Sequence, residues 1–103
     1  MPGTDIIAEA RNPEGRIVQL AQRAWDHVLE QHVEMTEYLD ETMAAIGAPD
    51  DREPDVRAGR ERYFRRGGPL RWIRVVTEFS GGVDSVVTAF PQSNDPGSVS
   101  WQR

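Results

Sequence analysis

The stretch LRWIRVVTEFSGGVDSVVTAFP, Leu70–Pro91, decides how the chain is read. From Leu70 to Phe79 the side chains alternate with the period of a strand. Ile73, Val75, Thr77 and Phe79 fall on one face, and Trp72, Arg74 and Val76 on the other. Ser80-Gly81-Gly82 is hairpin-turn chemistry, and Val83–Phe90 reads as the strand that pairs back, stopped by Pro91. Upstream, Arg60–Arg66 alternates weakly around Tyr63 and Phe64 until Gly67-Gly68-Pro69 breaks it. Residues 50–60 are polar, with Pro54 and Gly59, and read as loop with room for a short edge strand.

The N-terminal half carries a different period. Asn12-Pro13-Glu14 has the residues of a helix start: an N-cap, a proline at the first helical position and an acid in the first turn. Ile17, Leu20, Ala21, Ala24 and Val28 then recur at helical spacing, which predicts a helix over Pro13–Gln31. Met35, Tyr38, Leu39, Thr42, Met43 and Ile46 predict a second, with Gly47 as its C-terminal cap and Pro49 beyond. The expected class is α+β: two N-terminal helices packed on one face of a three- to four-stranded antiparallel sheet. Residues 1–11 read as a loose leader, 12–92 as a single domain and 93–103 as a tail.

A chain of 103 residues and 11.6 kDa fits one domain. The absence of cysteine excludes a disulfide scaffold, thiol catalysis and cysteine metal sites. It is compatible with a cytoplasmic location. No HExxH, EF-hand, GxGxxG or Walker spacing occurs, so no metal and no cofactor are expected. No apolar run approaches a bilayer span and no secretory signal is read, so no membrane partner is expected. The net charge of −5 is uneven. Residues 1–49 hold nine acids and three arginines, and residues 50–103 eight acids and nine arginines. Between Arg57 and Arg74 lie seven arginines and one acid, and all twelve basic residues are arginine, the better residue for bidentate phosphate contacts.

Few side chains invite chemistry. His27 borders the helical stripe, where it is either a boundary histidine satisfied by Glu30 or an acid–base group. His32, at the helix end, answers the helix dipole or reaches a substrate. Tyr63 sits within Arg62-Tyr63-Phe64-Arg65-Arg66, either a charge-solubilised edge strand or a cationic strand facing a phosphodiester. Arg74 lies between Trp72 and Val76 on its face, held by an ion pair or by a phosphate. Thr88 is a good strand former, or a hydroxyl placed for a phosphate.

Taken in order, Trp25-Asp26-His27-Val28-Leu29-Glu30-Gln31-His32, Arg62-Tyr63-Phe64-Arg65-Arg66, Arg71-Trp72-Ile73-Arg74-Val75-Val76 and Val86-Val87-Thr88-Ala89-Phe90-Pro91 resemble the small phage-type nucleases of the barnase–EndoU–colicin–RelE superfamily. The match covers residues 16–92, in short, degenerate motifs; the family's H-P-E is here His32-Val33-Glu34. The resemblance implies two N-terminal helices on a four-stranded antiparallel sheet and metal-free RNA cleavage, as a toxin or phage-derived effector. Carried over, His27, Arg65, Arg74 and Thr88 become the catalytic group, with Arg65 and Arg74 on the phosphate. Tyr63, Arg62, Arg71 and His32 become substrate contacts, and Arg62 or Arg71 replaces Arg65 or Arg74 if the register slips by one. The implied chemistry is attack of a ribose 2′-OH on the adjacent phosphorus, giving a 2′,3′-cyclic phosphate. RNA is then the substrate and an antitoxin or immunity protein a further partner. Two other readings stand beside it: a non-catalytic nucleic-acid- or protein-binding module on the same fold, and a subunit that forms a homodimer or antitoxin interface through its acidic helices.

Overall fold

The computed structural model describes residues 5–97. The parts of the expected leader and tail at 1–4 and 98–103 lie outside the described residues. The elements run β1 (Ile6–Arg11), β2 (Ile17–Ala21), α1 (Gln22–Gln31), a 3-10 turn (Val33–Met35), α2 (Leu39–Gly47), β3 (Asp51–Pro54), β4 (Arg60–Arg66), β5 (Trp72–Ser80) and β6 (Val83–Gln92). They form one six-stranded sheet in the order β1-β2-β6-β5-β4-β3. Every neighbouring pair is antiparallel except β2 with β6, which is parallel.

This corrects the expected architecture. The class is α+β, but the sheet is mixed and six-stranded, and a hairpin precedes both helices. The correction turns on Asn12-Pro13-Glu14-Gly15, which is a turn and not a helix start. The Asn12 side-chain oxygen accepts from the backbone N–H of Glu14 at 3.1 Å and of Arg16 at 2.9 Å. The Asn12 carbonyl accepts from Gly15 N–H at 2.8 Å, and Gly15 takes φ +87°, which glycine adopts without strain. Asparagine satisfies a helix N-terminus and an Asx-type turn by the same hydrogen bonds, so the residue alone does not choose. Residues 6–11, read as leader, therefore form β1. Residues 17–21 form β2, with Val18 and Leu20 buried and Ile17 exposed, a period of two. Helix α1 begins only at Gln22.

The helices pack on one face of the sheet. Trp25 and Val28 of α1, Met35 of the 3-10 turn, and Ala45 and Ile46 of α2 meet Val18, Leu20, Tyr63, Ile73, Val75, Val86 and Ala89 in one core. Each large apolar side chain so buried contributes about 1.5–3 kcal/mol. α2 is shorter than its apolar stripe, because Val33–Met35 takes the tighter 3-10 turn. Gly47 closes α2 without a left-handed conformation, and the chain leaves through Ala48. Among the described residues no helix is long and apolar enough to cross a membrane.

Candidate functional site

The pairing of β4, β5 and β6 sorts their side chains onto two faces. Tyr63 opposes Val75 and Arg65 opposes Ile73, which places both on the helix-covered face. Arg62, Phe64 and Arg66 oppose Val76, Arg74 and Trp72; Arg74 and Val76 in turn oppose Phe90 and Thr88. These residues share the other face, which carries no helix among the described residues. The sequence-derived catalytic group is thereby divided. Arg74 and Thr88 lie on the helix-free face, where Phe64, Trp72 and Val76 are buried, Arg65 lies on the helix face, and His27 is exposed on α1.

Tyr63 is a core residue and has no exposed surface for a base to stack on. Its hydroxyl accepts from Asn12 Nδ2 at 3.1 Å and donates to Glu61 at 3.0 Å. Burial pushes its pKa up first; the Asn12 hydrogen bond opposes this and Glu61 adds to it. Arg65 donates to the Ala48 carbonyl at 2.7 Å and so ties β4 to the exit of α2. Arg62, 12 % exposed at its side chain, is held by Asp55 at 2.6 Å and Glu53 at 3.1 Å. Arg71 is exposed and lies 3.8 Å from Asp95.

Burial alone would raise the Asp55 carboxyl, but the Arg62 hydrogen bond, the Arg57 backbone N–H and the charges of Arg62 and Arg74 hold it below its ordinary 3.8. A lowered acid stabilises the fold above its unfolded pKa and loses that contribution as pH falls through the folded value. Thermal stability is therefore expected to drop as pH falls below about 4, and Asp55→Asn to flatten that part of the profile. An unchanged acid limb in the variant, measured by circular dichroism melts, would count against the pair.

Arg74 is the exception among these cations. Its guanidinium lies 5.1 Å from the Phe90 ring centre and 5.9 Å from that of Phe64. One nitrogen reaches Gln92 at 3.4 Å, while the buried Nε has no hydrogen-bond partner. Among the described residues no carboxylate lies within ion-pair distance of it. Glu53 and Asp55 are engaged by Arg62 instead. Burial first, and then the charge of Arg62, lowers the Arg74 pKa; Asp55 and Glu53 offset this in part.

Aromatic and cationic groups extend the face on both sides. The Arg66 guanidinium sits 4.8 Å over Trp72, and Phe64 meets Trp72 edge-on at 6.5 Å. The His32 ring lies 5.5 Å from that of Phe90 at 31°. Residues following β6 close part of the face: Trp72 Nε1 donates to Asp95 at 3.2 Å and Gln92 Nε2 to the Asn94 carbonyl at 2.7 Å. The void left beside Arg74, lined by Glu53, Arg62, Phe64, Gln92, Asp95 and Gly97, is about 30 Å³. That holds a water or two and no base.

Sequence reading did not single out Phe90 or Gln92. Counting back from Gly81-Gly82, with Ser80 opposite Val83, sets Arg74 against Ala89. A bulge between Val76 and Thr77 inserts Val87 and sets Arg74 against Phe90. Among the described residues no group of three or more potential ligands is placed to hold a metal ion. No protein-family profile matches the chain, and no curated protein or solved structure matches it.

Proposed function

We propose that this domain binds the phosphate backbone of single-stranded RNA through the helix-free face of β4–β6. The observation that carries the reading is Arg74, a half-buried cation between two aromatic rings with no carboxylate partner among the described residues. Such a charge is costly to bury unpaired, and an incoming phosphate oxygen relieves the cost. Arg66 and Arg71 add charge along the same end of the sheet, and the partly exposed His32 and Phe90 rings offer a stacking surface for a base. The sequence resemblance supplies the choice of RNA.

A second reading, metal-independent cleavage of that RNA, is favoured by one contact: a histidine stands beside the ring that flanks Arg74. In this reading His32, not His27, takes the 2′-OH proton, Arg74 neutralises the phosphorane, and the P–O5′ bond breaks with a proton from water going to the leaving 5′-oxygen.

One experiment addresses both readings. A labelled oligoribonucleotide is titrated by fluorescence anisotropy across a KCl series in EDTA. Three cations at the face predict a log–log salt slope of about −2 for a single strand. Arg74→Gln is expected to weaken binding by about 10-fold or more, while Arg57→Gln, at the opposite end of β4, leaves it unchanged. Equal affinity in wild type and Arg74→Gln sinks the proposal. Cleavage to a cyclic-phosphate end that disappears in His32→Ala, with binding retained, selects the catalytic reading; its absence in wild type leaves the binding module.

A further inference from the structure

The two edges of the sheet differ in how they are protected. β3 is four residues long and reads Asp51-Arg52-Glu53-Pro54, a short edge blunted by charge and proline. β1 is six residues long, Ile6-Ile7-Ala8-Glu9-Ala10-Arg11, with no proline. It ends the sheet order, so one side of its backbone meets no strand among the described residues.

The hairpin turn shows which groups face out. Asn12 N–H donates to the Arg16 carbonyl and the Asn12 carbonyl accepts from Gly15, so Asn12 turns its backbone toward β2. Alternation through Ala10, opposite Val18, and Ala8, opposite Leu20, then turns the N–H and C=O of Glu9 and Arg11 outward. The Arg11 carbonyl passes beside Gly47, where an added Cβ would sit 3.5 Å away, so the backbone at the end of α2 lies close to this end of the edge. Ile6 and Ile7, 44 % and 36 % exposed, stand on this strand, and Ile17 on its neighbour is 42 % exposed.

We propose that this edge pairs with β1 of a second copy of the chain, antiparallel about a two-fold axis at Ala10. Charge selects both occupant and register. An axis at Glu9 would set two glutamates face to face, which opposes pairing. An axis at Ala10 sets Glu9 of each copy opposite Arg11 of the other, as outward-facing hydrogen-bonded pairs. It leaves alanine at the non-hydrogen-bonded axis, where opposing Cα atoms approach to about 4.5 Å. Self-complementarity of this kind is what an isologous dimer requires. The short ladder makes the dimer weak and concentration-dependent. The inference is independent of the proposed RNA-binding face.

Sedimentation equilibrium tests it on the full chain. Wild type is expected to shift from 11.6 kDa toward twice that mass as concentration rises. Glu9→Arg or Arg11→Glu alone is expected to hold the protein monomeric, and the double exchange to restore the dimer. Glu9→Pro removes only an outward-facing donor, so it is expected to keep the circular dichroism spectrum and lose the dimer. A wild type that stays monomeric overturns the proposal, and so does a dimer that survives both single exchanges and Glu9→Pro.

Discussion

Truncation of Tyr63 to alanine is expected to destabilise the fold by about 3–5 kcal/mol, the usual range for emptying a buried aromatic site. Tyr63 is fully buried, in the core that joins both helices to the sheet. Its hydroxyl is also the meeting point of three elements. Asn12, whose side chain shapes the first hairpin turn, donates to it; Glu61 accepts from it; and Arg52 of β3 donates to it at 3.3 Å and stacks over its ring at 4.7 Å. Tyr63→Phe keeps the ring and removes those hydrogen bonds, leaving Asn12 Nδ2 without its acceptor. Its expected cost is about 1–3 kcal/mol, the penalty of a buried polar group left unsatisfied. Urea unfolding of the two variants separates the contributions. A Tyr63→Phe variant as stable as wild type would show that the hydroxyl does not anchor the turn. Any loss of RNA binding in Tyr63→Ala should follow the unfolded fraction, since the phenol has no surface for a ligand.

The same residue shows how far the sequence could be read. Period-two alternation and glycine turns predict strands at 60–66, 70–79 and 83–90; the strands run Arg60–Arg66, Trp72–Ser80 and Val83–Gln92, the last continuing through Pro91, which pairs with Ile73 instead of ending it. The face each residue occupies depends on register, and register is non-local. Tyr63 and Arg65 share a face, as alternation requires, but only the register opposite Val75 and Ile73 shows that helices cover it. Thr88 reaches the Arg74 face because of the bulge at Val87, which no composition signal marks. Asn12-Pro13-Glu14-Gly15 failed for a local reason: its asparagine serves a turn as well as it serves a helix. Val18, Leu20 and Val28 are buried, and Leu20 and Val28 fit a helical stripe while Val18 and Leu20 fit a strand. A five-residue strand is too short for the two periods to separate. The helix-free face was half legible. Arg74 stood out as a charge between apolar neighbours, but its partners come from β6 and the end of α1 and are assembled only by the fold.

Gly68→Ala is expected to cost about 2–4 kcal/mol, combining backbone strain with overpacking. Gly68 lies in the β4–β5 turn at φ +80°, and a Cβ there would sit 2.5 Å from Ile73 Cγ1 and 2.9 Å from Cδ1. Ile73 is 1 % exposed and fixed among core neighbours, so it cannot swing aside freely. Gly81→Ala supplies the contrast: it carries φ +61° with nothing within 4 Å of its Cβ, so only the strain remains and the expected loss is about 1 kcal/mol. Coupling separates the clash from the strain. Removing Cγ1 and Cδ1 together by Ile73→Ala should make the double variant with Gly68→Ala less destabilised than the sum of the singles; additive losses would show that the side chains do not collide. The turn also sets the register by which Arg66 faces Trp72 and Arg74 faces Phe64. A relaxed turn in Gly68→Ala is therefore expected to change Trp72 fluorescence and weaken RNA binding at temperatures where the protein remains folded, whereas Gly81→Ala, at the far end of β5, should leave both unchanged.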